Sequence, residues 1–306
     1  MIQTLWFDNL PVLGRMSSEQ AAAKLREVGE DEAAAIMEQV QSTNQETFGL
    51  LDWFRGRDRA WQHAAHAFGY LAPTELSGDI LPIRHVGDIY ADGTLKNTQI
   101  KITLDGLRVA DYPGNGDHRI LFDFYAQNQL PSAVEHVHFN STYRIREGER
   151  AAILGYPIFI GLNVGTEGVA FRCFTVNVKN EQDEIMLNMM ESDVFKAGLK
   201  LANTVQPAIA PLTGLAIALT KSIATRYRNV PVQDFYLGLD FTNITTGARL
   251  AIGSYIAVQI PESFKRVWDW KDWVYHPTSG QVVSKTDPER LIPYNYIILG
   301  VSSYGE

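Results

Sequence analysis

Between residues 99 and 178 the chain is written almost wholly in short runs where apolar and polar side chains alternate, a period of two that fits strands and not helices. "NTQIKITLDGLRVADY" alternates and "RILFDFYAQ" is strand-like, while "DYPGNGDH" between them carries the Pro, Gly and Asn of a turn. Together they predict a hairpin. "EHVHFNSTYRIREGE", "GYPIFIGLNVG" and "GVAFRCFTVNVKN" continue the pattern, with connections at Gly148, Gly155, Gly165 and Gly168. "VQDFYLGLDF", "ARLAIGSYIAVQIP" and "YNYIILGVSS" resume it after residue 228. Strands that cluster, without regular intervening helices, predict a mainly β fold, an antiparallel β-sandwich and not a doubly wound parallel sheet.

The first 75 residues read as a helical region, and residues 76–306 as the sandwich domain. Ser17 and Gln20 have the spacing of a capping box, followed by Leu25 and Val28 on a helical period that Gly29 interrupts. Asp31 caps a second segment whose stripe is Ala33, Ile36, Met37 and Val40. A third helical stretch is expected over "QETFGLLDWFRGRDRAWQHAAHAFGYLA", with Leu50, Phe54, Trp61 and Phe68 on one face and Pro73 ending it.

Residues 201–220 carry no formal charge and lie between Lys200 and Lys221. A membrane-spanning helix needs about 20 predominantly apolar residues, whereas Asn203, Thr204, Gln206 and Thr213 are polar and Pro207 and Pro211 interrupt helical bonding. The expectation is a helical-hairpin insertion at about 192–228, packed on a sheet. Ser192 or Asp193 caps its first helix, with Phe195, Leu199 and Ala202 facing inward; Pro211 starts the second, with Leu212, Leu215, Ala216, Leu219 and Ile223 as its stripe. In general architecture such a fold resembles a C2-type sandwich, a likeness carried by no residue motif.

The formal charge of −8 disfavours nucleic acid as a partner, since phosphate binding needs concentrated Lys and Arg. Arg55, Arg57 and Arg59 are diluted by Asp52 and Asp58 and read as a solvated helix face. Cys173 is the single cysteine, so no intrachain disulfide or Cys-rich zinc site can form, and a reducing, cytoplasmic setting fits. The opening "MIQTLWFDNLPVLGRM" lacks the basic flank and apolar core of a secretory signal.

His136 and His138 in "EHVHF" lie two apart on a strand and could ligate a divalent transition metal from one face. Their spacing resembles the His-x-His of cupin-like sites, but Thr142 and Tyr143 stand where a Glu is expected. The bland alternative has Val137 and Phe139 in the core while His136, His138 and Asn140 face water. Asp111, Asn115, Asp117 and His118 supply ligand-type side chains in a turn without a complete calcium-loop pattern, and Glu181, Asp183 and Glu184 read as an exposed charge run. There is no G-x-S-x-G elbow, phosphate-binding Gly-rich loop or H-E-x-x-H pair, and Cys173 reads as strand packing.

"RVWDWKDWVYH" is the densest aromatic feature: Trp268 and Trp270 share one side of an extended segment, and Trp273 and Tyr275 continue the surface beyond a bend. The functional expectation is a non-catalytic interaction or adaptor protein with no cofactor, contacting a protein partner through Trp268, Trp270, Trp273 and Tyr275. The alternatives are a membrane-active effector whose 192–228 hairpin engages lipid, and a metal-dependent enzyme built on His136 and His138.

Overall fold

The computed structural model describes residues 9–42, 59–73, 80–131, 133–151, 153, 155–190, 197–201, 206–242 and 247–305. The chain is mainly β. A seven-stranded sheet runs β3 (Arg84–His85), β1 (Ala65–Leu71), β12 (Gly253–Ile260), β15 (Tyr296–Ser303), β4 (Gln99–Arg108), β7 (Tyr156–Asn163) and β9 (Leu199–Lys200). A five-stranded sheet runs β11 (Ala248–Arg249), β10 (Val230–Asp240), β8 (Gly168–Val178), β5 (Asp117–Leu130) and β6 (Ala133–Arg146). The long neighbours pair antiparallel; among the described residues, the two-residue strands β9 and β11 alone join in parallel.

One apolar cluster draws from both large sheets, with Phe122, Phe124, Val137 and Cys173 from one side and Ile100, Phe159, Tyr255 and Leu299 from the other. Burial of this two-sided layer is the main stabilising contribution, at roughly 25 cal/mol per Å2 of apolar surface. A second cluster covers the opposite face of the seven-stranded sheet. There a small sheet of β14 (Gln281–Ser284), β13 (Trp273–His276) and β2 (Leu81–Pro82) sits over Ala67, Ile256, Val258 and Ile298.

β4 and β5 do not form the expected hairpin. β4 pairs with β15 and β7, β5 pairs with β6 and β8, and "DYPGNGDH" carries the chain from one large sheet to the other. Turn composition marks a reversal but not whether the returning strand pairs or crosses a core. Gly114 and Gly116, at φ 84° and 88°, supply the left-handed backbone for the crossing. Buried Asn295 pins it, accepting the N–H groups of Ala110 and Asp111 and donating to the Asp111 carbonyl. The hairpin in this region is instead β5–β6, paired in unbroken register from Asp117↔Arg146 to Leu130↔Ala133.

The expected first two helices form: α1 (Ser18–Glu27) carries the reciprocal Ser17–Gln20 capping box, and α2 (Asp31–Ser42) follows Gly29 at φ 82°. Among the described side chains of α2, Ala34 is fully buried with Ala33 and Met37 packed beside it, while Ile36 is exposed; the Val40 side chain lies outside the described residues. The third helical stretch is corrected. From Ala65 the chain is β1, paired along its length with β12, and Trp61 lies in a short 3-10 turn before it. Leu50 and Phe54 lie outside the described residues. In "AHAFGYL" the alternation of Ala65, Ala67 and Gly69 with His66, Phe68 and Tyr70 prevails over helical propensity, because both faces of the strand find apolar layers.

The insertion is corrected too. Leu199 is in strand β9, not on a helix face, while Ser192, Asp193, Phe195 and Ala202 lie outside the described residues. A short helix α3 (Glu184–Met190) precedes that region, and one longer helix α4 (Gln206–Ala224) follows it. α4 contains Pro211 in its second turn and does not start there. It lies on the outer face of the five-stranded sheet with Ile209, Thr213, Ala216, Thr220, Ile223 and Ala224 buried, while Leu212 and Leu215 are 42% and 51% exposed. No helix among the described residues is long and apolar enough to cross a membrane.

Candidate functional site

Two places concentrate polar or aromatic chemistry. Beneath α4, Asp123 of β5 accepts hydrogen bonds from the His138 ring (Nδ1 to Oδ1, 2.9 Å), from Asn140 (3.1 Å) and from Thr220 (3.0 Å). Thr213 accepts the backbone N–H of His138. His138, Asn140 and Asp123 are each about 1% exposed, so two of the three side chains expected to face water are covered by the helix. Val137 and Phe139 do face the core. His136 is exposed and hydrogen-bonds the Tyr125 hydroxyl at 2.7 Å. The two imidazoles thus have different hydrogen-bond partners, although both rings meet that of Tyr125, and among the described residues no group of three or more His, Cys, Asp or Glu has metal-site geometry.

The turn residues disperse. Asp111 pairs with Arg59 at 2.9 Å, and its carboxyl is raised to about 6, chiefly by burial. Arg59 also meets Glu30 and is therefore not a free surface cation; Arg55 and Arg57 lie outside the described residues. His118 is buried in β5, whereas Asp117 is exposed beside Arg146. Asp183, expected in an exposed charge run, is fully buried and held by Arg226 and Asn229. Cys173 lies in the central core, where burial pushes its thiol well above its usual range and away from nucleophilic use.

The aromatic segment is not one extended surface. Two 3-10 turns, Glu262–Phe264 and Trp270–Asp272, fold it before β13 begins at Trp273. Trp270 is buried and donates its indole N–H to the Phe68 carbonyl at 2.9 Å. Trp268 meets Trp270 edge-on at 5.5 Å and stacks on Trp273 at 5.9 Å with an interplanar angle of 6°. Trp268 and Trp273 are half-buried. Tyr275 points elsewhere, into a separate hollow bordered by Asp105 and Ser254.

The structure adds residues that the periodicity did not select. Phe264, Val267, Pro293 and Tyr294 join Trp268 and Trp273 around an open cleft of about 270 Å3. Phe264 is 41% and Val267 71% exposed, unusual for large apolar side chains this close together. The available signal was "PESFKRVW", where apolar residues are interleaved with Lys265 and Arg266 without a strand period. A larger hollow of about 490 Å3 lies between Arg119, Arg144, Arg146 and Lys179. Its polar groups are engaged as structure: Arg119 bonds Asn188, and Lys179 bonds the carbonyls of Asn115 and Asp117.

These features define a mainly β protein of stacked antiparallel sheets with one partly exposed aromatic cleft. No family model, curated protein or solved structure matches the chain.

Proposed function

We propose that the chain is a non-catalytic interaction or adaptor protein, a C2-like sandwich platform that binds a protein partner through the cleft at Trp268 and Trp273. The observation that supports this reading is the cleft's composition. Half-buried indoles are held rigid from below by Trp270 and flanked by the exposed Phe264 and Val267. Rigid aromatic anchors beside a polar rim are the pattern of energetic centres in protein interfaces.

The test is photo-crosslinking from position 267 in native cells, followed by reconstitution with the captured protein in purified form. Saturable 1:1 binding is expected, weakened at least tenfold by Trp273→Ala. Phe264→Ser, an exposed change that leaves the core intact, is expected to weaken it as well. Binding indifferent to both substitutions, with circular dichroism unchanged, would remove this reading.

A further inference from the structure

Behind the aromatic cleft lies a second hollow of about 290 Å3 that shares Asp272, Trp273 and Arg290 with it. Lys271 and Lys285 join Arg290 on its wall, with the hydroxyls of Ser284 and Thr286. Among the described residues, these three cationic side chains have no ion-pair or hydrogen-bond partner. Asp272 is the single carboxylate of the wall, so three cations face one anion within the hollow, with Asp269 on the adjoining cleft. The nearby Asp287 accepts the N–H of Glu289 within its own turn and does not line the hollow. The main chain fixes the walls: the Lys285 N–H donates to the Asp272 carbonyl at 2.8 Å, and the Ser284 N–H to the Arg290 carbonyl at 2.9 Å.

The geometry points to this hollow as a binding site for the phosphate monoester of a phosphorylated partner segment, whose adjoining aromatic or apolar side chain occupies the Trp268–Trp273 cleft. The inference rests on the reading of that cleft as an interaction surface. A phosphate monoester carries about −1.5 to −2 charges near neutral pH and offers three strong acceptor oxygens. It therefore matches the excess charge, where a lone carboxylate would leave one cation unanswered. Arg290 can engage two phosphate oxygens in a fork while the lysines act as point charges. The shared wall of Trp273 and Arg290 places an apolar group and its phosphate side by side.

A membrane headgroup would present the same phosphate chemistry. Here the surrounding surface disfavours it, since over residues 262–290 Lys265, Arg266, Lys271, Lys285 and Arg290 are matched in number by Glu262, Asp269, Asp272, Asp287 and Glu289, whereas attraction to an anionic bilayer needs a clustered net positive charge.

Isothermal titration calorimetry of the full chain with N-acetyl-O-phosphotyrosine amide, N-acetyl-tyrosine amide and inorganic phosphate tests the inference. The phosphorylated probe is expected to bind at least tenfold more tightly than either fragment. Lys285→Gln combined with Arg290→Gln, both exposed positions, is expected to reduce it to the level of tyrosine amide while binding of tyrosine amide itself is unchanged. Equal binding of the two tyrosine probes overturns the phosphate site and leaves the aromatic cleft standing. Inorganic phosphate binding as tightly as the full probe overturns the coupling between the hollows, and no binding of the phosphorylated probe overturns the site outright. Saturable binding to phosphatidylserine vesicles, abolished by the same double substitution and without phosphotyrosine binding, would assign the cations to a membrane and overturn the proposal.

Discussion

His118 occupies the second position of β5 with 1% of its surface exposed, its ring edge-on to Tyr112 at 5.8 Å. Burial, with the nearby Lys179 second, lowers its pKa from 6.5 to about 4. The folded chain therefore keeps this ring neutral over a range in which the unfolded chain protonates it, so unfolding takes up a proton. Stability from this group is complete above about pH 6.5 and is lost as pH falls toward 4, at up to about 1.4 kcal/mol per unit and about 3 kcal/mol in all. His118→Phe is expected to reduce the fall in urea midpoint between pH 7.5 and 4.5. It will not remove the whole fall, because His66 is also lowered to about 4 by burial. An unchanged pH dependence would show that the imidazole reaches solvent. The same residue shows what the sequence hid. Among Asp111, Asn115 and Asp117 it reads as a turn ligand, yet β5 starts at Asp117, and His118 then shares one inward strand face with Ile120, Phe122 and Phe124.

At the scale of the element, α4 turns Thr213 and Thr220 toward the sheet among the apolar Ile209, Ala216, Ile223 and Ala224, and leaves Leu212 and Leu215 outside. Hydropathy alone orients it about the Leu212, Leu215, Ala216, Leu219 and Ile223 stripe, of which Ala216 and Ile223 are buried and Leu219 packs beside them. The deciding fact is non-local: β5 and β6 place Asp123, His138 and Asn140 together beneath it, and a buried carboxylate without donors costs more than two leucines gain. Thr220→Val is expected to cost about 1–2 kcal/mol, since Asp123 keeps two donors. Asp123→Ala should cost about 3 kcal/mol, because the buried His138 ring and Thr220 hydroxyl both lose their acceptor, while Asn140 keeps the Phe122 carbonyl and the Thr220 oxygen. Both should accelerate hydrogen exchange across α4 while β5 and β8 stay protected. Uniform acceleration throughout the molecule would show that the helix is no separate latch. Pro211 offers the complementary test. In the second turn of α4 it cannot donate to the preceding turn, so Pro211→Ala should raise the thermal midpoint by an amount equivalent to about 1–3 kcal/mol. An unchanged or lower midpoint would mean that the ring's own packing outweighs the missing bond.

Across the whole molecule, strand existence was legible while strand partnership was not. "DYPGNGDH" has the composition of a hairpin turn, but it changes sheets because Asn295, more than 180 residues away in sequence, holds it across the edge of the core. The same kind of long-range dependence ties the aromatic cleft to the seven-stranded sheet through Gly69. A Cβ added there would lie 2.5 Å from the Ile83 side chain and 2.9 Å from the Trp270 ring, both buried. The absent side chain is what lets Trp270 settle onto β1 and donate to Phe68, and Trp270 in turn supports Trp268. Gly69→Ala is therefore expected to destabilise the protein by about 1–3 kcal/mol through overpacking. It should also alter the near-ultraviolet circular dichroism of the tryptophans and weaken phosphotyrosine amide binding, although position 69 lies outside the cleft. A lower thermal midpoint with unchanged tryptophan signals and unchanged probe affinity would separate the cleft from the sheet beneath it, and the rigidity on which its use as a binding surface depends would have to come from β13 and β14 alone.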